Sequence, residues 1–78
     1  MRSIEHEGQT FEYDESCIFN YGWQKQVVSE DASKNFKAAE RLFCGKDEEV
    51  AERLGGSMDA IGELIKAIMQ DNGRAAKN

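Results

Sequence analysis

The sequence predicts an α+β fold that is mainly α, with an N-terminal β-hairpin packed on three to four short helices. Near the start of the chain, apolar and polar residues alternate on both sides of a glycine, as they do in hairpins. From Phe36 to Met69, apolar residues recur at helical spacing, and glycines divide them into separate stretches. A chain of 78 residues forms one small domain, which we assign to residues 1–70. Residues 71–78 are polar, and we expect them to be a disordered tail.

The hairpin is predicted within residues 3–13. Ile4 and His6 alternate with polar residues before the turn, and Phe11 and Tyr13 do so after it. Threonine and aromatic residues suit strands. Because an isolated hairpin is only marginally stable in water, it must pack on the helices, with Phe11 and Tyr13 as its anchors.

Residues 14–28 fit a helix more loosely. Asp14 and Ser16 are candidate N-caps. The aromatic and valine residues of this segment would also suit an extended stretch. A helix is favoured because no turn signal occurs before Ser29, although Gly22 costs it about 1 kcal/mol relative to alanine.

The next helix is predicted at about residues 32–44. Ser29 and Asp31 are its candidate caps, and its interior is rich in good helix formers. Gly45 supplies the left-handed residue that commonly ends a helix.

Two further helices follow. A short one begins at Asp47 and ends at Gly55–Gly56, and the longest, at about residues 57–71, is capped by Ser57. Its apolar stripe consists of Ile61, Leu64, Ile65, Ile68 and Met69. This stripe is core by default. The alternative is that part of it faces a partner, since Met58 and Met69 lie at its ends and methionine suits adaptable binding surfaces.

Charge and hydropathy exclude several classes of protein. The formal net charge is −5, and the ten basic residues are scattered among acids, so we expect no binding to nucleic acid. No apolar run approaches the roughly 18 residues that span a bilayer, and the first eight residues are polar. We therefore expect a cytoplasmic protein that does not bind membranes.

No set of residues predicts a catalytic, metal or cofactor site. His6, Cys17 and Cys44 are the soft metal ligands, and they lack the paired spacing of zinc motifs. The acids at residues 47–49 are explained by the positive end of a helix. We expect both cysteines to be reduced and packed as small apolar residues.

Phe19, Tyr21 and Trp23 form an aromatic cluster in the sequence. Core packing, with the indole N–H hydrogen-bonded, is the favoured interpretation of Trp23. If Trp23 is exposed, it becomes an anchor for a protein interface. The candidate partner-binding residues are therefore Met58, Met69, Trp23, Tyr21 and Phe19.

Three stretches, EGQTFEYDES, YGWQKQVV and RLFCGKDEEVAERLGGSMDAIGELIKAIMQ, together cover most of the chain. In this order they resemble the tail assembly chaperones of long-tailed phages and prophages of Gram-positive bacteria. The matching pieces are Gly8-Gln9-Thr10-Phe11, Asp14, Leu42-Phe43-Cys44-Gly45, Glu48 to Leu54 and Gly56 to Leu64.

The resemblance implies a non-enzymatic protein of the bacterial host cytoplasm. It would bind the tape-measure protein and help recruit tail-tube subunits, and members of this family are often made in two lengths by a ribosomal frameshift. Self-association is left open. The alternative is a small acidic regulatory or inhibitory protein, such as a DNA mimic, acting by protein–protein binding, although acids interspersed with bases suit mimicry poorly.

Overall fold

An antiparallel hairpin followed by helices makes up residues 1–73, the part of the chain that the computed structural model describes. The elements, in order, are β1 (Arg2–His6), β2 (Gln9–Tyr13), a 3-10 helix (Glu15–Phe19), α1 (Tyr21–Val27), α2 (Ala32–Leu42), α3 (Asp47–Arg53) and α4 (Met58–Asp71). The predicted α+β, mainly α fold is confirmed. Of the predicted tail 71–78, residues 74–78 lie outside the described residues, whereas Asp71 ends α4 and Asn72 is its C-cap.

The hairpin turn is tight. His6 pairs with Gln9, so only Glu7 and Gly8 connect the strands. Both have positive φ, 53° and 78°, as a type I′ turn requires. This register places alternate residues of β2 on one face, where Phe11 and Tyr13 are fully buried, as predicted.

The single helix predicted over residues 14–28 is divided in two by Asn20. The Asp14 carboxylate accepts a hydrogen bond from the Ser16 backbone N–H at 3.0 Å and caps the 3-10 helix. Asn20 has extended backbone angles, and its side chain accepts from the Trp23 N–H at 2.8 Å. An asparagine that caps a new helix start therefore interrupts the segment.

Helix α2 is capped by Asp31, as predicted, but ends two residues earlier than expected. Cys44 and Gly45 both have left-handed backbone angles, with φ of 55° and 84°. The Gly45 N–H donates to the Glu40 carbonyl at 2.8 Å, which satisfies one of the free carbonyls at the helix end. The left-handed turn thus begins one residue before the predicted glycine.

One apolar core joins the hairpin to the four α-helices. Its buried residues are Phe11, Tyr13, Cys17, Ile18, Trp23, Ala38, Ala39, Leu42, Phe43, Val50, Leu64, Ile65 and Ile68. Both cysteines are free thiols. Cys17 is buried as expected, but the expectation that Cys44 is packed is wrong, because its left-handed position after α2 leaves it exposed.

Two sets of side-chain contacts hold the hairpin on the helices. The Arg53 guanidinium lies 4.3 Å from the centre of the Phe11 ring and donates to the Thr10 carbonyl at 2.8 Å. At the other side, Asn72 donates to the Tyr13 hydroxyl at 2.8 Å. These contacts fix β2 against α3 and against the end of α4.

Across residues 1–73, none of the helices has the length and apolar character needed to cross a membrane.

Candidate functional site

An apolar groove runs along α4. Its volume is about 800 Å³. Residues from α1 to α4 line it, and the apolar ones are Val27, Val28, Phe36, Ala39, Ala51, Met58, Ile61, Ile65 and Met69.

The groove combines a buried base with exposed apolar edges. Ala39 and Ile65 are buried, whereas Phe36 is 53% exposed, Met58 60% and Val28 74%. An apolar surface that stays in water forgoes the free energy gained by burial, about 25 cal/mol per Å². Contiguous exposed apolar patches of this kind mark interaction sites more often than scattered single residues do.

Helix α4 lines the groove because its apolar residues cover more than one face. Leu64 and Ile68 are fully buried in the core. Met58, Ile61 and Met69 follow one another at separations of three and eight residues, lie on the neighbouring face and line the groove. One edge of this apolar stripe packs in the core, and the other edge lines the groove.

Three carboxylates and one ammonium group border the apolar surface. We call Asp47 and Glu48, from the first turn of α3, and Glu63, from α4, the acidic rim. The ammonium group belongs to Lys66, three residues after Glu63 on α4. Among residues 1–73, the one salt bridge joins Arg2 to Asp71. No cationic side chain of these residues therefore lies within 4 Å of a rim carboxylate. The rim is therefore negative and available to a positively charged partner.

The polar side chain of Asn35, which also lines the groove, is already hydrogen-bonded. Its amide donates to the carbonyls of Gln26 and Ser29, both at 2.9 Å. The interior of the groove therefore offers mainly apolar contacts, and its charge lies at the border.

The five candidate partner-binding residues lie in three different places: in the groove, in the core, and on the surface outside the groove. Met58 and Met69 both line the groove, the first mostly exposed and the second half-buried. Trp23 is fully buried, and its indole N–H donates to the Ala38 carbonyl at 2.8 Å, so it belongs to the core rather than to an interface. Tyr21 and Phe19 are 76% and 60% exposed and lie outside the groove.

Sequence reasoning missed the other wall of the groove and its charged border. Phe36 was recognised only as part of a helical stripe, and Val28 only as a strand-like or helical residue. Their neighbours in space come from α3 and α4, which no local pattern reveals. The signal that was present is the wide stripe of α4 with a methionine at each end.

The groups with shifted pKa values lie away from the groove. Hydrogen bonds from Ser16 and Ser33 lower the pKa of Asp14 and of Asp31, respectively. Burial raises the pKa of the Cys17 thiol. These shifts belong to helix caps and to the core.

The chemistry available at the groove is apolar contact bordered by carboxylates. Within residues 1–73, no charged side chain is buried, and no group of three or more His, Cys, Asp or Glu residues is arranged to hold a metal ion. Comparisons of the chain with protein-family models, with curated proteins and with solved structures gave no match.

Proposed function

We propose that this protein is a non-enzymatic tail assembly chaperone of a phage or prophage, and that its groove holds amphipathic helical segments of the tape-measure protein. The observation that carries the proposal is the apolar groove with exposed edges along α4. The resemblance of the sequence to tail assembly chaperones supplies the identity of the partner.

The dimensions of the groove suit a helix. The lining residues of α4 extend from Met58 to Met69, which corresponds to roughly 16 Å, or three helical turns. Helices that dock in grooves do so through apolar residues spaced three or four positions apart. A partner helix of about three turns would therefore cover the exposed edges formed by Met58, Phe36 and Val28.

Binding of this kind fits a chaperone of a long helical protein. One short groove gives a weak site, but many copies bound along one chain would keep its apolar stripes out of water. The net charge of −5 would help such a coat to remain dissolved. Recruitment of tail-tube subunits would need a second surface outside the groove. An acidic regulator would instead use its carboxylates and would not need the groove.

The test is co-expression with the tape-measure protein of the same phage or prophage. We expect the partner to become soluble and to co-purify with this chain. Phe36→Asp and Met58→Asp should abolish the rescue, because they place charge on exposed apolar edges that a partner would cover. Met69→Asp should do the same but also weaken the fold, because Met69 is half-buried.

Tyr21→Asp is the matched control, since it adds the same charge at an exposed residue outside the groove. Circular dichroism should show that each variant is folded. If the wild-type chain gives no rescue and no co-purification, the chaperone proposal is wrong. If rescue survives both Phe36→Asp and Met58→Asp, the function stands and the binding surface lies elsewhere.

A further inference from the structure

We infer that the groove selects a basic amphipathic helix, one whose apolar stripe is bordered by lysine or arginine. This inference rests on the proposed function, and it adds the chemistry by which the groove would distinguish one helical segment from another. The acidic rim carries it.

The rim acids border the apolar surface from two helices. Asp47 and Glu48 come from α3 and Glu63 from α4, so carboxylates lie on both of these lining elements. With Lys66 as the one basic residue among the lining residues, the border has a formal charge of −2, from three carboxylates and one ammonium group.

The positive end of α3 explains only part of this arrangement. Asp47 and Glu48 occupy the first turn of α3, where the positive helix end favours acids. Glu63 lies in the interior of α4, beyond the first turn, and gains nothing from that effect. Since no cationic side chain of residues 1–73 lies within 4 Å of these carboxylates, they remain available to a partner.

A docked helix would lay its apolar residues on the groove and its flanking residues against the rim. Lysine and arginine there would meet three carboxylates, whereas glutamate would meet like charges. Complementary charge at the border of an apolar interface contributes chiefly to selectivity and to the rate of association. The apolar contacts provide the affinity, and the charge of the rim determines which partner helix binds best.

The experiment uses synthetic helical peptides that share one apolar stripe and differ only in the flanking residues, which are lysine, glutamine or glutamate. Binding of each labelled peptide to the full chain is measured by fluorescence anisotropy. We expect the lysine peptide to bind on the order of tenfold more tightly than the glutamine peptide, and the glutamate peptide to bind most weakly. The lysine advantage should shrink in 0.5 M salt, since exposed charges are screened. A lysine peptide with a scrambled stripe should not bind.

A pair of triple variants separates the rim from net charge. The rim variant is Asp47→Asn, Glu48→Gln, Glu63→Gln. The matched control changes the net charge by the same amount with three exposed acids outside the groove: Glu5→Gln, Glu30→Gln, Glu52→Gln. We expect the lysine preference to disappear in the rim variant and to persist in the control.

Each remaining outcome overturns the inference. Equal binding of all three peptides would show that the groove does not select helices by charge, and it would not contradict the chaperone proposal. An equal loss of preference in both triple variants would assign the effect to net charge. No binding by any peptide would exclude the groove as a helix site, with co-expression deciding the chaperone function separately. A dimer that dissociates when peptide binds, seen by sedimentation velocity, would assign the groove to a second copy of this chain.

Discussion

The side chains of Tyr21 and Trp23 lie two positions apart and have opposite environments. Tyr21 is 76% exposed, whereas Trp23 is fully buried and hydrogen-bonded to Ala38. In an α-helix, residues i and i+2 point about 200° apart, so the two aromatic rings cannot share one face. Because α1 begins at Tyr21, one of these side chains is exposed and the other is buried. The Asn20 cap sets this helix start.

Ile65 serves both the core and the base of the groove, being 8% exposed. We expect Ile65→Ala to lower the free energy of unfolding by about 2–5 kcal/mol, because a buried side chain is lost and a cavity remains. Urea denaturation followed by circular dichroism measures the change. Val28→Ala is the control: Val28 is 74% exposed, so its change should stay within about 0.5 kcal/mol. Similar values for both variants would contradict the assignment of Ile65 to the core.

The two thiols should differ in reactivity. Cys44 is exposed, whereas Cys17 is buried and its thiol pKa is raised, chiefly by loss of solvation and further by the nearby charge of Asp14. Since the thiolate is the reactive form, we expect a thiol reagent such as DTNB to titrate Cys44 in the folded protein and to reach Cys17 only in denaturant. Mass spectrometry after alkylation identifies the modified residue. Rapid native labelling of Cys17 would show that its burial is incomplete.

At the scale of the elements, side-chain caps decide where several helices begin. Asp14, Asn20, Asp31 and Ser57 each accept a hydrogen bond from a backbone N–H in the first turn of the helix that they precede. The sequence predicts the cap at Ser57, and it offers Asp14 and Asp31 each as one of two candidates, with Ser16 and Ser29 as the others. Asn20 was missed because the segment around it has no clear period, and a cap is informative only when a helix start is expected there.

The aspartate caps should make stability depend on pH at the acid end. Hydrogen bonds from Ser16 and Ser33 lower the pKa of Asp14 and of Asp31 in the folded chain. The folded state therefore binds fewer protons than the unfolded state near the usual aspartate pKa of about 3.9. This contribution to stability is present above that pH and is lost as the pH falls through the lowered folded value.

We expect the urea midpoint of the wild-type chain to fall more steeply below about pH 4 than that of the double variant Asp14→Asn, Asp31→Asn. Asparagine caps helices about as well as aspartate and does not titrate, so both variant caps persist in acid. Measurements between pH 2.5 and 7 compare the two chains. Identical acid profiles would show that the caps do not cause the pH dependence.

In the molecule as a whole, the strands and helices are easier to predict from the sequence than the groove that the helices form. The hairpin, the later helices and most of the core follow from periodicity, turn residues and caps. The groove does not, because Val28, Phe36 and Met58 lie far apart in the chain and meet only through packing. The rim acids Asp47 and Glu48 are explained in the sequence by the helix end alone, since their position beside an apolar surface is a tertiary property.

The first and last described elements are neighbours in space. Arg2 pairs with Asp71 at 3.3 Å across 69 residues, and Asn72 reaches the Tyr13 hydroxyl across 59. Besides the two-residue turn, β1 is held by its pairing with β2 and by the contact of Arg2 with Asp71. We therefore expect that β1 could follow α4 in the chain and keep these contacts.

A circular permutant tests whether β1 can fold as the last element of the chain. If residue 78 is joined to residue 1 by a short Gly-Ser linker and the chain is opened between Glu7 and Gly8, β1 becomes the last element to be synthesised. Loop-closure entropy changes slowly with length, and chain ends that lie close together favour permutation. We expect the permutant to fold to the same structure with a modestly lower urea midpoint, judged by circular dichroism and by protection of Cys17 from thiol reagents. A permutant that fails to fold would show that the hairpin must close locally before the helices can hold it.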